Sequence, residues 1–188
     1  MVNPDTTGNQ IIFLLGFMGV GKSTLGKLLA HNLKLPFIDL DEFLEQEEEM
    51  TIEEIFLSKG ESYFRGCEAF YLRLIIAKYV HGAVVATGGG APCHSSNLDL
   101  MNRTGLTVYL KASSDSLAER LSGSHTVRPL IQGKTKAQVQ SFVMDLLASR
   151  ESYYTGAIAC FQVDPDQDKS INAAFLEQVV RKEMKHSI

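Results

Sequence analysis

An α/β fold in three layers, with a parallel sheet between helices, is predicted by three observations. Apolar segments of strand length alternate with helix-patterned segments along the chain. The first of them, Ile11–Leu15, is a continuous apolar run, as a strand covered on both faces requires. It leads directly into Gly16-Phe17-Met18-Gly19-Val20-Gly21-Lys22-Ser23, a glycine-rich turn that opens a helix.

The elements follow in order. Leu25, Leu28, Leu29 and Leu33 give residues 23–33 one apolar helical face. Pro36 precedes a short strand at Phe37-Ile38-Asp39, and 42–50 reads as a charged helix. Thr51 and Glu54 have capping-box spacing and start another helix. Gly60 breaks it, and 61–79 continues as a long helix. A third strand at 83–87 ends in Gly88-Gly89-Gly90-Ala91-Pro92. Residues 94–102 read as a helix, 107–111 as the fourth strand and 114–121 as a helix. Residues 122–134, rich in Ser, Gly, His and basic residues, read as irregular. Thr135 and Gln138 form a capping pair for a helix over 135–153. The fifth strand, 158–163, and a closing helix, 170–185, complete the chain. Its 188 residues suit one domain with a full core, 1–188, and no repeat or linker divides it.

The turn at 16–23 matches G-x-x-x-x-G-K-[ST] between a strand and a helix, the context of a phosphate-binding P-loop. Its glycines allow positive φ and close backbone approach, so that several N–H groups face one concavity. The following helix N-terminus adds positive potential. A nucleoside triphosphate fits there, contacted by Gly16, Met18, Gly19, Val20, Gly21, Lys22, Ser23 and Thr24. Lys22 can reach the β- and γ-phosphates, and Ser23 can offer its hydroxyl to Mg²⁺.

Ligands of parallel α/β sheets sit beyond the carboxyl ends of the strands. That rule brings Asp39 and Asp41, at the end of the second strand, and Gly88, Gly89 and Gly90, at the end of the third, to the P-loop. Residues two apart point the same way on a strand, so one carboxylate can support metal while the other faces a substrate hydroxyl. Alternatively, Asp41 caps the helix that follows. Arg65 has Glu61 at i−4 and Glu68 at i+3, either a surface ion-pair ladder or a guanidinium steered toward a substrate carboxylate. Arg128, inside the irregular 122–134 stretch, suits a lid that closes over the γ-phosphate. Arg120 and Arg150 lie toward helix C-termini, where charge–dipole attraction alone would account for them.

The net charge of −4 argues against a broad nucleic-acid surface. No apolar run approaches the ~20 residues of a membrane span. The first ten residues lack the basic and apolar regions of a signal peptide and read as a loose tail. Cys67, Cys93 and Cys160 are too scattered for a disulfide framework or a zinc site, so a cytoplasmic protein with reduced thiols packed as small hydrophobes is expected.

Taken in order, several pieces resemble shikimate kinase. They are the P-loop, Phe37-Ile38-Asp39-Leu40-Asp41, Gly60-Glu61 with Phe64-Arg65 and Glu68, Thr87-Gly88-Gly89-Gly90, Arg128-Pro129-Leu130, and Arg150 with Tyr153. The resemblance implies a P-loop NTPase fold close to nucleoside monophosphate kinases, with a five-stranded parallel sheet of order 2-3-1-4-5. It implies a shikimate-binding region at about 37–70 and a lid at about 122–135. It also implies transfer of the ATP γ-phosphate to the 3-hydroxyl of shikimate, a step of aromatic amino acid biosynthesis, in a monomer. In that reading Lys22, Asp41 and Arg128 are catalytic. Ser23 and Asp39 hold Mg²⁺, Asp39 through water. Arg65, Arg150 and the Gly88–Gly90 backbone hold shikimate with Asp41. An adenine-stacking arginine near the start of the lid falls at Arg120 or, displaced by one, at Leu121. The Asp164-Pro165-Asp166 loop then covers the adenine's other face.

Overall fold

In the computed structural model, residues 10–123 and 129–186 are described. They form five strands: β1 (Ile11–Leu15), β2 (Phe37–Asp39), β3 (Ala83–Ala86), β4 (Gly105–Lys111) and β5 (Ala159–Gln162). Seven α-helices accompany them: α1 (Lys22–Leu33), α2 (Leu40–Glu48), α3 (Ile52–Lys78), α4 (Asn97–Thr104), α5 (Ser114–Ser122), α6 (Lys136–Tyr154) and α7 (Lys169–His186). The sheet order is β2-β3-β1-β4-β5, and every pairing is parallel. This is the expected order. Parallel strands need crossovers, and the helices that make them flank the sheet.

β1 occupies the centre, paired with β3 on one side and β4 on the other, and all its residues are buried. The core builds outward from Phe13, Leu14 and Leu15 to Leu29 of α1, Leu72 and Ile75 of α3, and Leu176 and Val180 of α7. Both expected capping boxes form, Thr51 with Glu54 at the start of α3 and Thr135 with Gln138 at the start of α6.

Several boundaries differ from the sequence reading, among them that of α2, which starts at Leu40 rather than at 42 and so takes in Asp41. The helix expected over 94–102 is a short 3₁₀ turn, Ala91–Cys93, followed by α4. Ser95 and Ser96 lie between them at φ 54° and 55°, which no α-helix accommodates. The fourth strand begins at Gly105, two residues earlier than expected, because its backbone continues the β1 pairing from Ile11. Of the cysteines, Cys67 is buried but Cys160 is exposed on β5, contrary to the expectation of packed thiols.

Gly60 interrupts the helix as expected. At φ +82° it kinks α3, and helix resumes beyond it. Glu48 of α2 grips both sides of that kink. Its Oε2 accepts from the Lys59 ammonium at 3.2 Å and the Tyr63 hydroxyl at 2.7 Å. Its Oε1 accepts from the Tyr71 hydroxyl at 2.8 Å and the Cys67 thiol at 3.5 Å. The Tyr63 and Tyr71 hydrogen bonds hold the Glu48 carboxyl down to a pKa of about 2.

A depressed carboxylate contributes stability that is present above its unfolded pKa and lost as pH falls through its folded pKa. Glu48→Gln should therefore lower the urea midpoint at neutral pH. The gap from wild type should narrow as the buffer is taken from about pH 5 to about pH 3. A gap independent of pH would mean that the charge of Glu48 contributes nothing to the clamp.

Candidate active site

The P-loop runs from β1 into α1. Gly16, Gly19 and Gly21 sit at φ 136°, 82° and 107°, a backbone that residues with a Cβ rarely adopt. Gly21 is itself the N-cap of α1, so the open amides of the first helical turn face the loop's concavity. Lys22 folds back across the loop and donates to the Gly16 and Phe17 carbonyls at 2.8 and 3.0 Å. Its ammonium thus lies over the space where phosphates would sit.

Ser23 donates to Asp39 Oδ2 at 2.5 Å. The other oxygen, Oδ1, accepts from the Asp41 amide at 3.1 Å and caps α2. The capping role considered for Asp41 therefore belongs to Asp39. Asp41 is not on the strand; it lies in the first turn of α2. Helix geometry, rather than strand alternation, separates the two carboxylates. One closes on the P-loop serine, and the other turns toward the third strand's end.

There Asp41 meets the glycines. Its Oδ1 is buried and has no hydrogen-bond partner among the described residues. Burial, and after it the Asp39 and Glu68 charges, raise the Asp41 pKa to about 7 against the opposing charge of Lys22. A carboxylate poised there can accept a proton near neutrality. A Cβ on Gly88 would stand 2.6 Å from Asp41 Oδ1 and 3.0 Å from Glu68 Oε1. One on Gly90 would stand 2.8 Å from Arg65 Nη1. At Gly88 and Gly90 a larger residue would have to push the Asp41 carboxylate or the Arg65 guanidinium aside.

Arg65 donates to Glu68 Oε2 at 2.6 Å and, through Nη2, to Glu61 Oε1 at 3.0 Å. The ion-pair ladder exists, and within it Glu68, only 1% exposed, holds the guanidinium close to Gly90. Arg150 comes from α6 to the same place, its Nη1 3.5 Å from where a Gly89 Cβ would be. Two cations thus flank one glycine loop.

On the opposite side of the P-loop, Arg120 donates to the Val20 carbonyl at 3.2 Å. It borders a cavity of about 400 Å³ with Gly19, Gly21, Thr24 and Pro165. Leu121 is buried, and of the two positions Arg120 is the one that lines this cavity. Asn172, which sequence reasoning passed over, shapes the far wall. Its amide accepts from the Asp164 N–H at 3.0 Å and donates to the Asp164 carbonyl at 2.9 Å. Arg128 lies outside the described residues.

Tyr154 was also missed. Tyr153, read together with Arg150, is 43% exposed; the buried tyrosine is its neighbour, at i+4 from Arg150. That i, i+4 spacing on α6 was the available signal.

A strand–P-loop–helix unit at the centre of a parallel 2-3-1-4-5 sheet, with a carboxylate pair and convergent arginines beside it, defines a P-loop phosphotransferase. The family model for shikimate kinase matches residues 18–184. The shikimate kinase of Azobacteroides pseudotrichonymphae is 45% identical over 150 residues, which cover 80% of this chain and 88% of that one. The crystal structure of shikimate kinase from Bacteroides thetaiotaomicron superposes with a TM-score of 0.86 at 38% identity, covering 92% of this chain and 98% of that one. The Acinetobacter baumannii shikimate kinase in complex with shikimate does so with a TM-score of 0.80 at 30% identity, covering 93% and 94%. The chain belongs to the shikimate kinase family.

Gly88→Ala should displace the Asp41 carboxylate by about an ångström and cost about a hundredfold in kcat/KM. Nucleotide affinity should be nearly unchanged, because the P-loop is not touched. Steady-state kinetics with a separate ADP-binding titration would check both halves.

Proposed function

We propose that the three strand ends form the active centre of an ATP-dependent shikimate kinase, with Asp41 as the group that receives the proton of the 3-hydroxyl. The observation that carries this reading is the buried, unpartnered Oδ1 of Asp41, beside Gly88 and within reach of the Lys22 charge. A substrate hydroxyl placed there would donate to Oδ1. Its oxygen would then bond to the γ-phosphorus as the bond to the ADP oxygen breaks, and its proton would pass to Asp41. Lys22, swung from the Gly16 and Phe17 carbonyls to the β- and γ-phosphates, would balance the charge that moves.

Arg65 and Arg150 would hold the substrate carboxylate against the glycine loop, with the Arg65 fork oriented by Glu68. Arg120 would cover the adenine from the cavity it borders with Pro165. Arg128 would complete the charge balance from the lid, as the family resemblance implies.

Ser23 and Asp39 present hard oxygen donors next to the P-loop, a set that fits Mg²⁺. Held by these two residues, Mg²⁺ would supply positive charge against the negative charge of the transferring phosphoryl group. Ser23 would then turn its hydroxyl from Asp39 toward the ion, with Asp39 holding it through water. We further propose a single functional domain over 1–188 and a location in the cytoplasm. No helix among the described residues is long and apolar enough to cross a membrane.

The deciding experiment is coupled ADP release with Mg-ATP, with and without shikimate. Release that depends on shikimate supports substrate and reaction together; ATP binding with no response to shikimate overturns the substrate. Arg65→Ala and Arg150→Ala should each raise the shikimate KM by more than about tenfold, the loss of a charge-assisted hydrogen bond of about 1.5–3 kcal/mol.

Asp41→Asn should abolish most turnover while leaving ATP affinity intact. Its stability effect has a definite sign. A carboxyl with a raised folded pKa makes the fold lose stability as pH climbs from about 4 to about 7. The asparagine variant should therefore melt higher than wild type at pH 8, and the gain should vanish near pH 4. In wild type, kcat/KM should rise with pH through an apparent pKa near 7.

A further inference from the structure

The loop Gly88–Ala91 has an asymmetry that its glycines alone do not explain. All four of its carbonyls are satisfied from behind. The Gly88 carbonyl accepts from the Ala91 N–H at 3.2 Å, and the Gly90 carbonyl from the Cys93 N–H at 2.9 Å. The Ala91 carbonyl accepts from the buried Asn97 amide at 3.0 Å. The Gly89 carbonyl accepts from the Tyr154 hydroxyl at 2.6 Å. The amides of Gly88, Gly89 and Gly90, by contrast, have no acceptor among the described residues. The three glycine amides are thus left for a ligand, on a loop whose glycines lie against Asp41, Arg65 and Arg150.

Three of these ties need only the chain's local turn and the start of α4. The Tyr154 tie is different, because it crosses from α6, 65 residues away in sequence. Tyr154 is fully buried and stacks on Tyr109 of β4, with ring centroids 5.1 Å apart and planes inclined by 27°. Tyr109 in turn donates to Glu151 at 3.2 Å, and Glu151 also pairs with Lys111 at 3.0 Å. The Tyr154 hydroxyl is thus held from the sheet, on the turn of α6 that also carries Arg150.

We infer that Tyr154 is a positioning residue for the acceptor substrate: its hydroxyl fixes the Gly89 carbonyl, and so sets the unpaired amides of Gly88–Gly90 in register with Arg150. This rests on the reading of the glycine loop as the shikimate-binding wall. Tyr154 touches no substrate itself. It couples the backbone wall and the arginine, which come from β3 and α6, into one surface.

The test is Tyr154→Phe, which keeps the ring and its stack on Tyr109 and removes only the hydroxyl. The expected result is a rise of about fivefold in shikimate KM, the size of one neutral hydrogen bond, with the ATP KM within about twofold of wild type. Amide hydrogen exchange, followed by mass spectrometry, should speed up at the hydrogen-bonded Ala91 and Cys93 amides, in the peptide that spans the glycine loop, and not in the P-loop peptide. An unchanged shikimate KM, or equal rises in both KM values, overturns the inference, since a general loss of stability would produce the latter. Exchange unchanged at the glycine loop overturns it too. If wild type shows no response to shikimate, the functional reading fails by that result alone, and the exchange comparison still decides whether Tyr154 sets the loop.

Discussion

Everything at the site depends on where β1 and β3 stop. The Leu14 carbonyl accepts from both the amide and the hydroxyl of Thr87, each at 3.2 Å. That double bond of one carbonyl to one residue fixes the end of β3 against the end of β1. The P-loop then departs from Leu15 and the glycine loop from Thr87, side by side. Register in a parallel sheet cannot slip by one without turning every side chain to the other face. The buried run of β1 makes such a slip prohibitive, so the distance between phosphate cradle and glycine wall is set by the core.

The electrostatics follow from that closeness. Asp39, Asp41 and Glu68 crowd one small volume, and the chain as a whole carries net negative charge. Three cations are brought in to face them: Lys22 from the P-loop, Arg65 from α3 and Arg150 from α6. Each is tethered. Lys22 is held by loop carbonyls, Arg65 by two glutamates, and Arg150 lies against Gly89 beside the buried Tyr154. A site that must accept a polyanionic nucleotide and a small carboxylate is thus built from a few oriented cations rather than from a basic surface.

Much of this was legible in the sequence, for identifiable reasons. The strand positions, the P-loop and the two capping boxes are local patterns, and local patterns survive folding; the strand order is not local and came with the family resemblance. Asp41 and the triple glycine were legible because topology places all strand ends together. What was not legible depended on side chains meeting across the fold. Asp39 rather than Asp41 caps α2, because Asp39 alone has an extended backbone at that point. Tyr154 rather than Tyr153 is buried, because the face of α6 is chosen by Tyr109 of β4. Asn172 matters only because α7 returns to the Asp164 loop. The paired serines at positive φ before α4 carried no sequence signal at all.

The kink in α3 has a mechanical meaning. A Cβ on Gly60 would meet no atom within 4 Å, so the glycine is there for its torsion angle and not for lack of room. Left alone, such a residue would be a flexible joint. Glu48 holds Lys59 before it and Tyr63, Cys67 and Tyr71 after it, which turns the joint into a splint. The hairpin of α2 and α3 then carries Asp41 at one end and Arg65 near its middle as parts of a single lever. A displacement of that hairpin would therefore carry the Asp41 carboxylate and the Arg65 guanidinium together rather than one by one.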